Sequence, residues 1–526
     1  MSSGALTALA LPPARPPDGS AALRGEVRAF LAEQPFEVQC DAWGSAWGGS
    51  PEFSRALARR GWIGMTWPPE YGGGGRSALE RWVVTEEVLA AGAPVSAHWV
   101  VDRQTGPALL RFGTEEQRQR LLPAMARAEV SFAIGMSEEG AGSDLAAVST
   151  RAERTEGGWL VHGVKKWTGG AHRGDYFVVL CRTSPLGDDR HEGLSQLIVD
   201  LRADGLSMRP INLMHGIHQW NEVTLDGVFV PDEMVLGEVG SGWTQVVSEL
   251  AYERSGPERV LSTFPLLSAF AAVVDADGDP RAVSALGSLV ARLVALRRLS
   301  LAVANALDEG NAPDVQAALV KDLGTTYERD VVEAVRAARP FVRGDERLDA
   351  LLEQALLSTP GFTLRGGTTE ILRTIVARAL AGADLPGVDE IGERDVSDPV
   401  TAAGAALDLA LLHTRTREQF GRPLVRFQAV AQLLAVLAGQ VLVLRAAVES
   451  EDEAVAKIVG GAAVGEITRI AHQVHGALGY SDEHPLHRFT RALWAWRDAG
   501  GVESEWAHRY GAGVAGPDLW ARMVPA

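Results

Sequence analysis

The chain has 526 residues, of which 46% are hydrophobic and 22% charged, and a formal net charge of −17. That length is too great for one hydrophobic core and fits three or four domains of a soluble globular protein. The negative charge disfavours a nucleic-acid partner, and the two cysteines, Cys40 and Cys181, suggest neither a disulfide framework nor a cysteine metal site. These properties favour an enzyme of the reducing cytoplasm.

The first part of the chain is expected to pass from a disordered leader into a helical domain. Residues 1–19 are rich in Pro and Ser and lack the basic start and long apolar core of a signal peptide. Between residues 20 and 128 apolar side chains recur three and four positions apart, which predicts helices. No run of about twenty uninterrupted apolar residues occurs, so no membrane span is expected.

After residue 128 the periodicity of apolar residues changes from helical to strand-like, and later it becomes helical again. Short strand-like runs separated by Gly, Asp and Pro between residues 129 and 240 predict a small antiparallel β-barrel or sandwich. Residues 241–380 return to helical periodicity and predict a four-helix bundle. An acidic stretch with Gly and Pro at 381–396 is interpreted as a linker, 397–515 as a second helical bundle and 516–526 as a tail. The expected fold class is α+β, mainly α.

A glycine-rich run, GAGSD at residues 140–144, is the first candidate for ligand binding. Glycine lets a backbone approach a flat ring or a phosphate closely, and the serine adds a hydroxyl donor. The run is not a Walker loop, because no Gly-Lys-Ser/Thr follows, and it lacks the strand–GxGxxG–helix context of a Rossmann site. Taken alone, it predicts no more than a tight loop.

Several further runs, in order and at consistent spacing, change that interpretation. Together they make the chain resemble the acyl-CoA dehydrogenase family from Gly61 to Arg254 and again at a closing motif. The runs are GWIGMTWPPEYGG at 61–73, GTEEQR at 113–118 with LP at 122–123, MSEEGAGSD at 136–144, GVKKWT at 163–168, NEV at 221–223, VFVP at 228–231 and GGTTEILR at 366–373.

The resemblance implies a flavoprotein that removes two hydrogens from the α and β carbons of an acyl thioester and yields the trans-2-enoyl thioester. FAD would accept the β-hydride at N5, and a carboxylate would take the α-proton. The substrate would be an acyl-CoA or acyl-carrier-protein thioester, and electron-transfer flavoprotein is the expected electron partner. By the same resemblance, the residues expected to bind the cofactor are Met136, Ser137, Gly142, Ser143, Trp167, Thr168, Thr368 and Glu370.

One position departs from the family pattern. Many relatives carry a Thr or Ser two places after the tryptophan, where it bonds flavin N5, and this chain has Gly169. Either Thr168 or a backbone N–H replaces that contact, or the reactivity of the flavin differs. Thr168 also has the ordinary interpretation of a β-branched residue near the end of a strand.

The identity of the catalytic base follows from a second difference. Relatives place the carboxylate either just before the Gly-Thr of the closing motif, which is Gly366 here, or on the helix after the β domain, which reads AYERS at 251–255. The resemblance therefore makes Glu253 the base, with Arg254 orienting it and the backbone N–H of Gly366 polarising the thioester carbonyl. The alternative is that Glu253 is a solvated helix carboxylate paired with Arg254 or Arg259.

The second bundle carries two turns that relatives have in their only bundle. Residues 256–360 show neither an Arg-x-x-Phe-Gly turn nor a Gln-x-x-Gly-Gly/Ala turn, and both appear later. In homomeric relatives these turns contact the adenine end of FAD. We therefore expect one FAD per chain, a second bundle that completes its pocket, and a homodimer with four bundles. The residues concerned are Arg417, Gln419, Phe420, Gln473, Gly476 and Ala477.

Two alternatives to a dehydrogenase stay open. Gly169 is compatible with a flavin-dependent oxidase or monooxygenase on the same fold, and the fold could also serve as a non-catalytic binding subunit. The histidines of the last segment lack a ligand set at metal-binding spacing, so no metal site is expected.

Overall fold

The computed structural model describes residues 4–40, 49–254 and 256–525, apart from the side chains of Ala8 and of residues 250–253. The described residues form two compact units. One comprises residues 17–258, and the other comprises residues 1–16 and 259–526. Helix α1 (Ala5–Leu9) opens the chain and belongs to the second of these units.

The helices of the first unit lie where apolar residues recur at helical spacing. Two of them begin with reciprocal capping boxes, Ser77 with Glu80 and Thr114 with Gln117, which satisfy the free N–H groups of a first turn. The helices are α2 (Ser20–Glu33), α3 (Pro51–Arg59), α4 (Ala78–Ala90), α5 (Ser96–Val100), α6 (Gly106–Phe112), α7 (Glu115–Ala126) and α8 (Gly242–Arg254). A π-helical turn, Val101–Thr105, joins α5 to α6.

The middle of this unit is one eight-stranded sheet with the order β6-β7-β3-β2-β4-β5-β8, and β1 pairs in parallel with β4. The predicted fold class, α+β and mainly α, is confirmed. Of the predicted antiparallel barrel or sandwich, the closed barrel is wrong, because β6 and β8, the strands at the two ends of this order, do not pair with each other within the described part of the chain. The strands are β1 (Phe132–Gly135), β2 (Arg151–Thr155), β3 (Gly158–Gly169), β4 (Tyr176–Arg182), β5 (Leu194–Asp200), β6 (Leu206–Asn212), β7 (His218–Pro231) and β8 (Val235–Leu236).

The core of the first unit joins helices to this sheet. Leu109 of α6 and Leu122 of α7 belong to the same buried cluster as Phe177 of β4 and Val223 of β7. Such a continuous apolar core supplies most of the driving force for folding. It also gives the loop that follows β1 a rigid support.

The second unit is helical except for one small hairpin, formed by β9 (Glu418–Gln419) and β10 (Arg422–Pro423). Its helices after α1 are α9 (Phe264–Val273), α10 (Pro280–Asp308), α11 (Asp314–Ala338), α12 (Glu346–Phe362), α13 (Thr369–Ala381), α14 (Val388–Gly392), α15 (Pro399–Thr416), α16 (Gln428–Val448), α17 (Glu453–Val455), α18 (Gly461–His475), α19 (Ala477–Tyr480), α20 (Leu486–Asp498), α21 (Glu503–Val514) and α22 (Leu519–Met523).

Residues 4–11 of the predicted leader are packed rather than disordered. The backbone N–H of Ala5 donates to the buried carboxylate of Asp408 at 2.7 Å, and Leu9 is fully buried. Residues 4–11, GALTALAL, are mostly apolar, and helix α1 packs against α13 and α15, partners that the local sequence does not reveal.

The predicted linker and tail are also packed. Within 381–396, helix α14 buries Ile391, and Arg394 pairs with Asp408 at 2.7 Å. In the tail, the ring of Trp520 lies 5.1 Å from that of Phe264. Both segments are therefore parts of the second unit.

The two predicted bundles are likewise packed as one unit, with α10 and α21 crossing at two glycines. A Cβ added to Gly287 would overlap the carbonyl oxygen of Ala507, and one added to Gly511 would overlap that of Val283. The backbones of the two helices are therefore in direct contact. Helix α8, by contrast, belongs to the first unit, although the sequence pattern assigned it to the C-terminal bundle.

Helix α16 is long and apolar enough, by length and composition alone, to cross a membrane, with a mean hydropathy of 1.8 over the relevant window. Half of that window is buried inside the protein. A core helix passes the same test, so this feature is weak support for a membrane span.

We expect Gly511→Val to destabilise the second unit by about 3 kcal/mol or more, because the new side chain meets backbone that cannot rotate away. Gly513→Ala is the matched control, since no atom lies within 4 Å of the added Cβ and alanine favours a helix. Thermal unfolding of both variants measures the effect. Equal stability of Gly511→Val and the parent protein would contradict the close crossing.

Candidate functional site

The glycine-rich loop 136–144 follows β1 and is held by one buried carboxylate. Glu138 accepts hydrogen bonds from the backbone N–H and hydroxyl of Ser149, at 2.7 and 2.6 Å, and from the N–H of Thr150 at 2.9 Å. The ammonium of Lys165 on β3 pairs with it at 2.8 Å and also donates to the carbonyl of Met136 at 3.0 Å. The loop, the start of β2 and the middle of β3 are thereby fastened together.

The surroundings of Glu138 keep it ionised. Burial alone would raise the pKa of this carboxyl, but Lys165 and the hydrogen bonds from Ser149 and Thr150 outweigh it and lower the pKa from 4.5 to about 2. A buried charge with a full set of partners has a fixed position, whereas one that loses a partner is strongly destabilising.

Much of the rest of the loop is open to solvent, although Ala141 is buried. Gly142 and Ser143 are exposed, and no atom lies near the position that a Cβ on Gly140 or Gly142 would occupy. Ser137 and Met136 are half-buried. An exposed glycine backbone with a serine hydroxyl suits close contact with a flat ring or a phosphate, and so fits the FAD that the sequence implies.

Trp167 occupies a bulge near the end of β3, where the pairing with β7 shifts register between Lys165 and Thr168. Its φ is 60°, a conformation that costs a bulky residue about 1–3 kcal/mol, and its side chain is 52% exposed. The N–H of Lys166 donates to the carbonyl of Ser137 at 2.9 Å, so the bulge lies beside the loop. A strained and exposed aromatic ring in this position is suited to stacking on a flat ligand.

The two residues after Trp167 differ in what they offer a ligand. Thr168 is fully buried, and its hydroxyl has no hydrogen-bond partner among the described residues. Gly169 lies against Trp220, whose ring would be 3.2 Å from an added Cβ. The Thr168 hydroxyl therefore faces the interior. At Gly169, which has no side chain, only the backbone is available to a ligand near the surface.

The predicted base, Glu253, lies in the last turn of helix α8, and its side chain is outside the described residues. Arg254 is buried. Just beyond the helix, Glu258 is fully buried and pairs with Arg103 at 2.7 Å. Because Arg103 lies in the π-helical turn between α5 and α6, this ion pair holds Glu258, four residues beyond the last residue of α8, against that turn.

The closing motif begins with two glycines in the second unit. Gly366 and Gly367 have φ values of 66° and 94°, in the left-handed region that glycine favours. The ammonium of the buried Lys321 donates to the carbonyl of Gly367 at 2.8 Å and holds the turn in place. Thr368 then occupies the N-cap position of helix α13 without a capping hydrogen bond from its side chain, and the exposed Glu370 follows in the first turn.

The first cofactor turn predicted in the second bundle is the hairpin of β9 and β10. Arg417, Gln419 and Phe420 are all exposed, and Phe420 is 92% exposed with a left-handed φ of 54°. Gly421 is also left-handed, at 78°. The hairpin therefore presents a cation and an aromatic ring to solvent, a combination that natural proteins use for ligands or interfaces.

The second cofactor turn is at the end of helix α18. Gln473, Gly476 and Ala477 are all exposed there. The rings of His413, near the end of α15, and His475, in the last turn of α18, stack with centroids 4.8 Å apart. Because Arg417 directly follows α15, the structure brings the ends of the two helices that carry both turns together.

The side chains that hold these elements in place were not among the predicted site residues. Lys165 lies on the same inward face of β3 as Val161, and a lysine there signals a buried partner, so this residue could have been found. Arg103 and Glu258 are distant in sequence, and no local pattern pairs them. Within the described residues, no three His, Cys, Asp or Glu side chains lie close enough together to hold a metal ion.

Three family models match the chain. The acyl-CoA dehydrogenase N-terminal domain matches residues 17–129, and the middle domain matches residues 133–228. The C-terminal domain of the same family matches residues 270–381 and residues 397–504. The matched segments include the glycine-rich loop, the bulge and both sets of turns.

Curated proteins from Mycobacterium tuberculosis are similar over most of the chain. Acyl-CoA dehydrogenase FadE34 is 34% identical over 63% of this chain and 46% of its own length. Acyl-CoA dehydrogenase FadE29 is 33% identical over 70% of this chain and 97% of its own length. The chain thus spans less than half of FadE34 and almost all of FadE29.

Solved structures extend the likeness. A structure described as the Tcur3481-Tcur3483 steroid ACAD has a TM-score of 0.61 at 30% identity and covers 70% of this chain and 99% of its own. An acyl-CoA dehydrogenase complexed with FAD from Bacillus anthracis has a TM-score of 0.76 at 17% identity and covers 98% of this chain and 99% of its own. The latter match shows that the fold, including the second bundle, occurs in another protein.

We expect Glu138→Gln to destabilise the protein by about 3 kcal/mol, because it leaves Lys165 buried without its counter-charge. Glu139→Gln is the matched control: its side chain is 87% exposed, and the change should cost less than about 0.5 kcal/mol. Since folding lowers the pKa of Glu138 from 4.5 to about 2, its stabilising contribution is complete above pH 4.5 and is lost as the pH falls towards 2. Thermal melts across this pH range should show a smaller acid dependence in Glu138→Gln.

Proposed function

The chain belongs to the acyl-CoA dehydrogenase family, and we propose that it converts an acyl thioester into the trans-2-enoyl thioester with Glu253 as the catalytic base. It is an FAD-dependent oxidoreductase of the acyl-thioester dehydrogenating type. The observation that carries the choice of base is the left-handed turn at Gly366 and Gly367. That turn has no side chain where one branch of the family has its carboxylate, and Glu253 is the remaining candidate.

In this proposal Glu253 removes the α-proton of the thioester, and the proton ends on its carboxylate. Bound FAD supplies the acceptor for the hydride that leaves the β carbon. The base needs a pKa high enough to hold a proton, which a site shielded from water provides. The burial of Arg254, the next residue, and of the pair of Arg103 and Glu258 shortly after the helix supports such a setting.

Polarisation of the thioester carbonyl is assigned to the backbone N–H of Gly366. Such a donor makes the α-proton more acidic by stabilising the negative charge that develops on the carbonyl oxygen. A backbone group survives the absence of a side chain at this position. The hydrogen bond from Lys321 to Gly367 supports this role, because it fixes the turn that carries the donor.

The residues that hold FAD form two groups in this proposal. One group contacts the flavin and the pyrophosphate and consists of Met136, Ser137, Gly142, Ser143 and Trp167. A backbone N–H of the bulge takes the place of the hydroxyl that Gly169 lacks. The other group lies in the second unit, where Thr368 and Glu370 contact FAD together with the two turns of the second bundle. The exposure of Arg417 and Phe420 supports this role.

The proposed ratio of one FAD per chain is supported by the set of domains in the chain. It has one middle domain with one glycine-rich loop, whereas the C-terminal domain model matches two segments. We propose that the second segment is a fused bundle that completes the cofactor pocket, and that two chains associate as a homodimer. Electron-transfer flavoprotein is the proposed electron acceptor.

A bulky acyl group is the proposed substrate class. A relative at 30% identity is described as a steroid ACAD, and its whole length is similar to this chain. Gly366 contributes no side chain beside the proposed carbonyl site, which leaves space for such a group. We propose a thioester of a steroid-derived acid, with coenzyme A as the carrier.

A second candidate function is a flavin-dependent oxidase, and the environment of Gly169 favours it. Because Trp220 lies against Gly169, no hydroxyl side chain can occupy that position without displacing the ring. A missing donor at flavin N5 would change the reactivity of reduced flavin toward oxygen. Rapid reoxidation in air with stoichiometric hydrogen peroxide would select this candidate over the dehydrogenase.

We expect Glu253→Gln to slow anaerobic bleaching of bound FAD by about a thousandfold, the contribution of a general base. The assay uses a steroid side-chain acyl-CoA and, for comparison, straight-chain acyl-CoAs. Glu238→Gln, which changes an exposed carboxylate shortly before the same helix, should bleach normally. Normal bleaching by Glu253→Gln would reject the assignment of the base.

We expect Arg417→Gln to raise the dissociation constant of FAD about tenfold or more, because it removes a charge-assisted hydrogen bond to a phosphate. Arg422→Gln is the matched control on the opposite strand of the hairpin and should bind FAD as the parent protein does. Equilibrium dialysis gives both the constant and the ratio of flavin to chain. A ratio near two would contradict the fused-bundle proposal.

A further inference from the structure

A buried asparagine links two histidines to the Trp167 bulge. Asn221 of β7 is fully buried and lies opposite Thr168 in the sheet register. Its amide group makes hydrogen bonds to the carbonyl of Thr168 at 3.0 Å, to Nδ1 of His172 at 3.1 Å and to Nε2 of His218 at 2.8 Å. The rings of the two histidines stack with centroids 3.9 Å apart.

The chemistry of these groups fixes every donor in the network. The carbonyl of Thr168 can only accept, so the NH2 group of Asn221 must face it, and the amide oxygen must face His218. His218 therefore donates through Nε2–H. The second N–H of the amide is left for His172, whose Nδ1 must accept and whose proton must be on Nε2.

A charged His172 does not fit this arrangement. Protonation would place an Nδ1–H against the N–H of Asn221, two donors at hydrogen-bond distance. Burial, together with the neighbouring His218 and Arg173, lowers the pKa of His172 to about 4. The stacked pair thus includes a neutral imidazole at ordinary pH.

The network ends at the backbone of the Trp167 bulge, which the proposed function places against the flavin. The Thr168 carbonyl that Asn221 holds is between the strained Trp167 and Gly169, the position without a hydroxyl. A left-handed tryptophan persists only when its surroundings over-determine it. Asn221 and His218 of β7, with His172 of the turn after β3, provide that constraint through hydrogen bonds whose donors are fixed.

We propose that His172 and His218, acting through Asn221, are positioning residues that lock the bulge in the geometry required to bind flavin. This inference rests on the proposed function. In the proposed role the network keeps the backbone beside Gly169 rigid. This rigid backbone then takes the place of the side-chain contact with the flavin that Gly169 cannot make. The two histidines do not exchange protons with substrate, and their task is to hold one conformation.

The first test is independent of FAD. Nitrogen-15 NMR of histidine-labelled apoprotein, with His172→Gln and His218→Phe used for assignment, should show a proton on Nε2 of both rings and a neutral Nε2–H tautomer of His172 at pH 7. His172 should remain neutral on titration until about pH 4. An Nδ1–H tautomer or a protonated ring at His172 at pH 7 would overturn the network.

The second test measures FAD binding. His172→Phe keeps a ring in the stack but removes the acceptor, and it should raise the dissociation constant of FAD about tenfold and alter the visible spectrum of bound flavin. His172→Gln can still accept from Asn221 through its amide oxygen and should restore both. His162→Phe, elsewhere on β3, is the control and should change neither.

The outcomes separate the two levels of inference. If FAD binds and is bleached by acyl thioester but His172→Phe behaves as the parent protein does, the positioning role is rejected and the proposed function stands. If the parent protein binds FAD but no acyl thioester bleaches it, the proposed function fails. The tautomers and the effect of His172→Phe on binding still test the network in that case.

Discussion

The buried ion pair between Glu138 and Lys165 determines the geometry of the ligand-facing part of the first unit. Two charges taken out of water are tolerated only when their remaining hydrogen-bonding capacity is filled, and Ser149, Thr150 and the carbonyl of Met136 fill it. As a result the loop after β1, the start of β2 and the middle of β3 share one rigid centre. The exposed glycine backbone can keep one conformation because its supports are buried.

The second unit depends on a different constraint, the contact of two helix backbones at Gly287 and Gly511. Because α10 and α21 touch directly, the second bundle is part of the packing of the first and not an appendage. A chain cut after residue 381 would lose α16 and α21, both of which pack on α10. Loss of cofactor from such a fragment would therefore report damage to the fold, and single exposed residues of the hairpin give a cleaner measure of the bundle's role.

The sequence predicted the order of helical and strand-rich segments, because apolar periodicity is local. It did not predict the open sheet, since the parallel pairing of β1 with β4 joins strands that are not neighbours in sequence. The resemblance led to the loop and to Trp167, but it assigned no role to Lys165 or Asn221, although both lie in the runs that carry it, because their roles depend on which faces are buried. Glu253 was selected by elimination, and its role stays a prediction, as does that of Arg254.

The docking of residues 5–11 has a consequence for how the protein is made. The carboxylate that receives the Ala5 N–H is 403 residues further along the chain. A ribosome releases residues 5–11 long before Asp408, so this segment has no binding place until the polypeptide has been synthesised beyond that residue. Its contacts have the long sequence separation that delays folding, and a segment that emerges well before its partner helix is among the last to reach its final position.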